Sequence, residues 1–229
     1  MSVYLISGSG TGVGKTVVTT ALARGAHPTP IVALKPIETG VTDRPTDAVA
    51  LAEACGRPGL ADAPGFVRMR APLAPYAATL GGEPAVQLGS LIEAIRAQVL
   101  ADGITLVEGA GGLLVPIDAT HTFADVAREL DAKILLVVPD GLGAISHALT
   151  AYECAWTRGL DVAGILLSQH KKTHPARRTN ARVIGDYVDC PVLKMPRVRD
   201  DAAITAAGIA LWKQLTRGPA DSAPALEAD

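Results

Sequence analysis

The stretch Gly8-Ser9-Gly10-Thr11-Gly12-Val13-Gly14-Lys15-Thr16 decides the fold of this chain of 229 residues. It directly follows an apolar run, residues 3–6, and opens a segment with helical apolar spacing over residues 17–22. Glycines let successive backbone N–H groups turn towards phosphate oxygens, and a helix N-terminus adds partial positive charge. The stretch therefore predicts a cradle for a nucleoside triphosphate, in which Lys15 meets the terminal phosphates and the Thr16 hydroxyl binds magnesium.

The predicted nucleotide-binding residues of this loop are Gly10, Gly12, Val13, Gly14, Lys15, Thr16 and Val17. The strict phosphate-loop spacing would place a glycine at position 9, whereas this chain has it one residue earlier, at Gly8. The loop is therefore a longer variant, and a glycine-rich structural turn is the alternative.

Short apolar runs predict the rest of the fold. They occupy residues 3–6, 31–34, 104–107, 134–138, 162–167 and 192–193, and they lack polar alternation. Runs of this kind are typical of strands buried on both faces, and helical patterns lie between them. We expect one α/β domain over residues 1–217, a doubly wound, mainly parallel sheet with helices on both faces, followed by a flexible tail at 218–229. Residues 56–82, rich in proline, read as an insertion with a short helix near 76–80 and no clear strand.

Composition excludes several classes of protein. Hydrophobic residues make up 48% of the chain and charged residues 19%, which is far from a disordered composition. Twenty-one Lys and Arg against 23 Asp and Glu leave a net charge of −2, so binding to nucleic acid or to an anionic membrane is not expected. With no long apolar run, no leader pattern and three cysteines without paired spacing, we expect a cytoplasmic protein with reduced thiols.

Charged side chains at predicted strand ends are the next candidates, because ligands of open parallel sheets collect there. Lys35 follows the second run and Glu108 follows the third, while Asp47 opens a helix. Thr16, Asp47 and Glu108 together offer the few oxygen ligands that magnesium takes from protein when phosphates fill the rest. The alternatives are a helix-dipole role for Asp47, a glycine-loop hydrogen bond for Glu108 and a solvated strand end for Lys35.

The one basic cluster comprises His170, Lys171, Lys172, His174, Arg177, Arg178 and Arg182. In a nearly neutral chain, a solvated face is the favoured interpretation, and a nucleotide contact is the alternative. His121 and His147 have no partner at metal-ligand spacing and are expected to be structural.

Taken together, these motifs make the chain resemble the dethiobiotin synthetase family. The resemblance extends from residue 3 to about residue 200 in the family's order. It is carried by residues 8–16, 35–40, 46–48, 107–112 and 141–147 and, more weakly, by Met195-Pro196.

The resemblance implies roles for individual residues. Magnesium would be held by Thr16, Asp47 and Glu108, and the catalytic residues would be Lys15, Lys35 and Thr11. The nucleotide would also be contacted by Ser168, Gln169 and Pro196. The substrate-binding residues would be Thr39, Lys35, Gly111, Gly143, Ala144 and Ser146, the last three acting across the twofold interface of a homodimer. A helix N-terminus with unpaired N–H groups is a suitable site for the carboxylate tail of a diamine.

The implied reaction is a ring closure driven by a nucleotide. Carbon dioxide adds to one amine of 7,8-diaminononanoate, ATP phosphorylates the carbamate, and the second amine closes the cyclic urea of dethiobiotin. Positioned charge suffices for this chemistry, and the sequence has no Ser-His-Asp or Cys-His signature of a covalent nucleophile. The co-substrate would be ATP or another triphosphate such as CTP, with Mg²⁺.

Two positions depart from the family pattern. Gly12 stands where members often carry an acidic residue, and Leu167-Ser168-Gln169 stands where members that recognise adenine carry an asparagine. We therefore predict weak base discrimination, with ATP favoured over CTP by less than about tenfold, or about 1.4 kcal/mol.

Two other classes have similar loops. A phosphate-loop switch ATPase of the partition or nitrogenase-iron-protein type carries a lysine five residues before the loop lysine, where this chain has Gly10. An amidoligase like cobyrinic acid diamide synthase adds a glutaminase domain, for which 229 residues leave no room.

Overall fold

A computed structural model describes residues 2–169 and 174–216. Within these ranges the chain forms eight strands, eight α-helices and two 3₁₀ helices. The strands are β1 (Ser2–Gly8), β2 (Ile31–Leu34), β3 (Ile37–Thr39), β4 (Val67–Met69), β5 (Ile104–Gly112), β6 (Lys133–Pro139), β7 (Val162–Ser168) and β8 (Val192–Met195). The α-helices are α1 (Lys15–Gly25), α2 (Thr46–Ala54), α3 (Pro75–Leu80), α4 (Leu88–Arg96), α5 (Phe123–Glu129), α6 (Ala144–Trp156), α7 (Asn180–Gly185) and α8 (Asp201–Leu215). The 3₁₀ helices are Pro58–Asp62 and Pro175–Arg178.

Six strands form the central sheet in the order β2-β5-β1-β6-β7-β8, and every neighbouring pair is parallel. Helices pack on both of its faces, because side chains alternate along each strand. In β1, for example, Leu5 belongs to one hydrophobic core and Ile6 to the other, and both are fully buried. The prediction of a doubly wound parallel sheet is thus confirmed.

Helix α8 fixes α1, the helix that follows the phosphate loop. The two helices cross so closely that a Cβ at Gly208 would overlap the carbonyl of Ala21, which only glycine avoids. The indole Nε1 of Trp212 donates to the carbonyl of Leu22 at 2.7 Å. These contacts anchor the body of α1 and so set the position of Lys15 at its start.

The structure corrects the prediction that residues 56–82 contain no strand. β4 lies in this insertion and pairs in parallel with β3 as a separate two-stranded sheet. Three residues are too few for a periodic pattern, and the central Arg68 makes the segment look polar. Its guanidinium donates to the carbonyls of Ala61 at 2.7 Å and Lys35 at 2.9 Å, which ties the insertion to the end of β2. The short helix expected near 76–80 is α3.

Two further boundaries differ from the sequence expectations. β5 continues to Gly112, so Glu108 lies inside the strand rather than at its end, because Gly112 pairs with Gly8 of β1 after a shift in register. The sequence of residues 177–188 predicts one weak helix, whereas the structure has the end of the second 3₁₀ helix there, followed by α7. The predicted tail at 218–229 and the basic residues 170–172 lie outside the described ranges.

Candidate active site

The phosphate loop joins β1 to α1 in a conformation that its glycines allow. Gly12 and Gly14 have φ values of 68° and 96°, in the left-handed region that favours glycine. Gly14 caps α1 without a side-chain hydrogen bond, and the first turn of α1 carries no acidic residue. Lys15 is only 7% exposed and donates to the carbonyl of Gly10 at 3.0 Å. The loop thus presents unpaired helix N–H groups and one ammonium group, which suits a polyphosphate.

A buried ion pair lies beside the loop. The ammonium of Lys35 is 2.7 Å from Oε1 of Glu108, and the two side chains are 5% and 0% exposed. Thr16 donates to the same oxygen at 2.9 Å, and Thr19 donates to Oε2 at 2.7 Å. Lys35 also donates to the carbonyl of Gly109 at 3.1 Å. Both carboxylate oxygens of Glu108 are therefore satisfied inside the protein, which such complete burial requires.

Asp47 completes the charged group from the start of α2. Its Oδ2 lies 3.5 Å from the ammonium of Lys35, and its side chain is 41% exposed. Glu38 holds this helix start, because its Oε1 accepts the N–H of Asp47 at 3.0 Å and its Oε2 accepts the N–H of Ala48 at 2.9 Å. The helix cap, Pro45, offers no side-chain hydrogen bond, so Glu38 of β3 caps α2 from a different element.

The two lysines of the site titrate differently. Burial, with a further contribution from the charge of Lys35, lowers the pKa of Lys15 from 10.5 to about 8, although Glu108 and Asp47 oppose the shift. Burial also opposes the charge on Lys35, but the neighbouring Glu108 and Asp47 outweigh it and raise the pKa of Lys35. Lys35 is therefore a fixed positive charge, whereas Lys15 can lose its proton close to neutral pH.

These groups line a cleft of about 540 Å³. The predicted site residues that line it are Thr11, Gly12, Gly14, Lys15, Thr16, Val17, Lys35, Thr39, Asp47, Glu108 and Gly111. Gly10 lies behind the loop as the acceptor for Lys15, and Val13 is buried beneath it at 5% exposure. The sequence interpretation missed Glu38 and the insertion residues 72–75, which complete the wall. An acidic residue directly after the apolar Ile37 was the available signal for Glu38, and no pattern pointed to residues 72–75.

The other predicted substrate residues lie away from this cleft. Gly143 caps α6 with a φ of 86°, Ala144 is buried, and Ser146 is exposed on the first turn. They do not line the cleft of their own chain.

A second cleft, of about 410 Å³, opens at the carboxyl end of β7. It is lined by Gln169, His174, Pro175, Arg177, Arg178 and Lys194. Ser168 beside it is 3% exposed, and the amide of Gln169 donates to Asp140 at 2.9 Å. Pro196 is exposed and does not line this cleft.

The oxygen donors of the first cleft suit magnesium. In the described part of the chain, no group of three or more His, Cys, Asp or Glu side chains could hold a metal alone. Two carboxylates and a threonine hydroxyl beside a phosphate loop nevertheless match Mg²⁺, which usually takes one or two carboxylates together with phosphates and water.

The parallel sheet, the loop and the two lysines define a phosphate-loop nucleotide-binding protein. A family model described as an AAA domain matches residues 2–200. A ParA family ATPase from Chlorobium tepidum TLS aligns over 93% of this chain and 95% of its own, with a TM-score of 0.51 and 12% identity. The cell division ATPase MinD of Pyrococcus furiosus aligns over 96% and 92%, with a TM-score of 0.52 and 16% identity. Such low identity shows a shared fold alone.

Sequence relatives narrow this class. The ATP-dependent dethiobiotin synthetase BioD of Aquifex aeolicus is 38% identical over 201 residues, 86% of this chain and 89% of that protein. The protein of the same name from Anaeromyxobacter dehalogenans (strain 2CP-C) is 41% identical over 167 residues, 72% of this chain and 75% of that protein. The chain belongs to the dethiobiotin synthetase family, as its motifs predicted, and the switch-ATPase and amidoligase alternatives are not better supported. Among the described helices, none combines the length and apolar character of a membrane span.

Proposed function

We propose that this protein is a cytoplasmic enzyme that uses ATP to close the ring of dethiobiotin from 7,8-diaminononanoate and carbon dioxide, releasing ADP and phosphate. The observation that carries this proposal is the buried pair of Lys35 and Glu108, 2.7 Å apart beside the phosphate loop. Glu108 keeps Lys35 protonated next to Lys15, where a carbamate and a terminal phosphate would meet. Family membership supplies the identity of the substrates.

The reaction needs positioned charge rather than a protein nucleophile. One amine adds to carbon dioxide and loses a proton, giving a carbamate whose oxygen attacks the terminal phosphorus of ATP. The bond from that phosphorus to ADP breaks, and a carbamic-phosphoric anhydride forms. The second amine then attacks the carbonyl carbon, the bond to phosphate breaks, and loss of a proton leaves the cyclic urea. Lys15 and Lys35 stabilise the negative charge that moves between these groups, and Thr11 lines the cleft at the loop.

Magnesium would be held by Thr16, Asp47 and Glu108 together with nucleotide phosphates. Bound there, the ion would neutralise phosphate charge and polarise the phosphoryl group under attack. The oxygens of Glu108 already accept hydrogen bonds from Lys35, Thr16 and Thr19, so its participation requires an exchange of partners. Asp47, with 41% of its side chain exposed, is the more accessible carboxylate.

The carboxylate tail of the diamine would be bound by a second copy of the chain. Thr39 and Gly111 line the cleft near Lys35, whereas Gly143, Ala144 and Ser146 form the start of α6, outside it. Leu142, which precedes α6, is 84% exposed at the helix start that contact with a second copy would cover. A homodimer that brings the start of α6 to the partner's cleft would complete the site.

Base discrimination between ATP and CTP would be weak. Ser168, at 3% exposure, has little surface to offer a base, and the amide nitrogen of Gln169 is already bound to Asp140. The paired donor and acceptor contacts that single out adenine would therefore be incomplete. A competition in which ATP is preferred over CTP by more than about tenfold would contradict this.

The decisive experiment measures phosphate release by the purified protein with Mg²⁺, bicarbonate and ATP, with and without 7,8-diaminononanoate. Dethiobiotin is followed in the same samples by mass spectrometry. We expect phosphate release to depend on the diamine and to match dethiobiotin in amount. Phosphate release that does not depend on the diamine, or no phosphate release at all, would overturn the proposal and favour a switch ATPase.

A further inference from the structure

A buried carboxylate organises the second cleft. Asp140 follows β6 and is 2% exposed. Its Oδ2 accepts the side-chain amide of Gln169 at 2.9 Å, and its Oδ1 accepts the side-chain amide of Asn180 at 2.9 Å. Arg177 donates to the backbone carbonyl of Asp140 at 2.8 Å. Asn180 is also 2% exposed and donates to the carbonyl of Gly141 at 3.0 Å, so Asp140 is held from several sides.

This arrangement fixes which way the Gln169 amide faces. A carboxylate offers only acceptors, so the NH₂ group of Gln169 must face Asp140 and its Oε1 must face away. Turning the amide over would set its oxygen against the buried carboxylate of Asp140. Asp140 cannot rotate to relieve such a contact, because its other oxygen is bound to Asn180. Within residues 2–169 and 174–216, no donor is hydrogen-bonded to Oε1 of Gln169.

Gln169 lies where the nucleoside end of the co-substrate should reach, an argument that rests on the proposed function. The charged groups expected around the terminal phosphate, Lys35, Asp47 and Glu108, lie on the side of β5 and β2. The nucleoside must then extend from the loop in the opposite direction, over β6 to β7. Two strand spacings, about 10 Å, separate β1 from β7, which suits the span of a nucleoside. The second cleft opens at that point and includes Gln169.

We propose that Asp140 is a positioning residue that holds the Gln169 carbonyl towards the nucleobase, so that the site selects bases with an exocyclic amino group. Adenine N6 and cytosine N4 are donors, whereas hypoxanthine O6 and uracil O4 are acceptors. An acceptor facing the Gln169 oxygen leaves both groups unpaired, and an unpaired buried polar group is costly. ATP and CTP can thus both donate a hydrogen bond to the Gln169 oxygen, whereas ITP and UTP cannot.

The test on the unmodified protein compares ATP with ITP and CTP with UTP, because each pair differs at the amino group. We expect kcat/KM in the diamine-dependent reaction to be at least about tenfold higher for the amino member, mainly through KM. Calorimetric titration should give the same order for ADP over IDP. Equal values within both pairs would overturn the proposal while leaving the ring-closing activity intact.

Variants assign the effect to Asp140. Asp140→Asn offers an amide in place of two acceptors, so Gln169 can reverse, and the ATP to ITP ratio should fall towards one. Gln169→Ala should lower the ratio in the same way and serves if Asp140→Asn does not fold. Asp186→Asn removes an exposed carboxylate of the same region and should keep the wild-type ratio.

An ATP to ITP ratio in the Gln169→Ala variant equal to that of the wild-type protein would contradict the inference. If no nucleotide supports diamine-dependent phosphate release, the proposed function fails. The ADP to IDP binding ratio still decides the inference about Gln169 in that case.

Discussion

Glu38 accepts the N–H of Asp47 at 3.0 Å and so caps α2, the helix on which Asp47 lies. Glu38 itself belongs to β3, which precedes α2 in the chain. The second carboxylate oxygen accepts the N–H of Ala48 at 2.9 Å, and Glu38 is 6% exposed. An acidic group at a helix N-terminus is favoured by the helix dipole as well as by its hydrogen bonds. Glu38 therefore positions the proposed magnesium ligand without being one itself.

Changing Glu38→Ala should raise the magnesium concentration needed for half-maximal phosphate release several-fold and leave maximal activity closer to the wild-type value. Loss of a helix cap should also cost about 1 kcal/mol of unfolding free energy. Magnesium titrations and urea denaturation measure the two effects. Glu83→Ala is the matched control, because Glu83 accepts the N–H groups of Arg70 and Ala71 in the insertion. An unchanged magnesium requirement in Glu38→Ala would refute this positioning role.

Removing one member of the buried pair should destabilise the protein strongly. Lys35→Met leaves the carboxylate of Glu108 buried without its ion pair, and such changes cost about 3–5 kcal/mol. The double variant Lys35→Met, Glu108→Leu should recover much of that stability and remain inactive. Chemical denaturation, with phosphate release as the second measurement, tests both statements.

The control for that experiment is a surface pair. Lys133 and Asp161 lie 3.4 Å apart with side chains 56% and 64% exposed. Lys133→Met should cost less than about 1 kcal/mol, because solvent screens exposed pairs. If Lys35→Met and Lys133→Met lowered the unfolding free energy equally, the pair of Lys35 and Glu108 would contribute no more than a solvent-exposed ion pair.

Nucleotide affinity should fall as the pH rises above about 8, the lowered pKa of Lys15. A polyphosphate binds the protonated lysine, so the free protein must take up a proton on binding once that lysine has lost it. Calorimetry in buffers of different ionisation enthalpy measures this uptake. Lys15→Arg keeps its charge at every pH tested and should flatten the profile. Proton uptake that persists in Lys15→Arg would assign the effect to another group.

The same pKa has a consequence for stability. The pKa of Lys15 is about 8 in the folded protein and 10.5 ordinarily, so the unfolded chain binds more protons between these values. The contribution of Lys15 to the unfolding free energy must then rise with pH through this interval. Lys15→Met should remove that rise, which denaturation between pH 7.5 and 9.5 can detect.

Ser146→Tyr should raise the KM for the diamine with less effect on nucleotide affinity, because a bulky ring would cover the start of α6. Thr150→Tyr, one turn later on the same helix, is the control and should change the KM little. An unaffected Ser146→Tyr variant would mean that the carboxylate tail binds elsewhere.

Mixing the two variants Lys15→Ala and Ser146→Tyr, at a diamine concentration far below the KM of Ser146→Tyr so that neither is active alone, tests whether the site is shared between subunits. In a mixed dimer of Lys15→Ala and Ser146→Tyr, the loop of one chain meets the intact helix start of the other at one of the two sites. With random subunit exchange, about a quarter of wild-type activity should return, since a twofold dimer has two equivalent sites. No recovery would place both groups in one chain or exclude the dimer.

The sequence predicted much of this site because its chemistry follows a general rule. Lys35, Asp47 and Glu108 were found by asking which charged side chains stand at strand or helix ends, and the structure brings all three to one cleft. Glu38 and Asp140 were missed because their partners are backbone groups or amides in other elements. Long-range pairing of that kind leaves no periodic pattern in a single chain.

The insertion shows a related limit of sequence reasoning. β4 was not predicted because three residues, one of them arginine, carry no strand signal. Only its partner strand β3, about 30 residues earlier in the chain, makes it a strand. Residues 72–75 reach the cleft for the same reason, since the fold of the insertion rather than its composition places them there.

The guanidinium of Arg68 ties the insertion to the end of β2, in addition to the pairing of β3 with β4. It donates to Ala61 in the insertion and to the backbone of Lys35 in the sheet, and it packs over the ring of Phe66. The peptide carbonyl of Lys35 is thereby anchored to the insertion. A protease cut in residues 56–66 would consequently silence the chemistry at Lys35 while leaving the phosphate loop whole. Nucleotide retention without turnover would be the signature of such nicked protein.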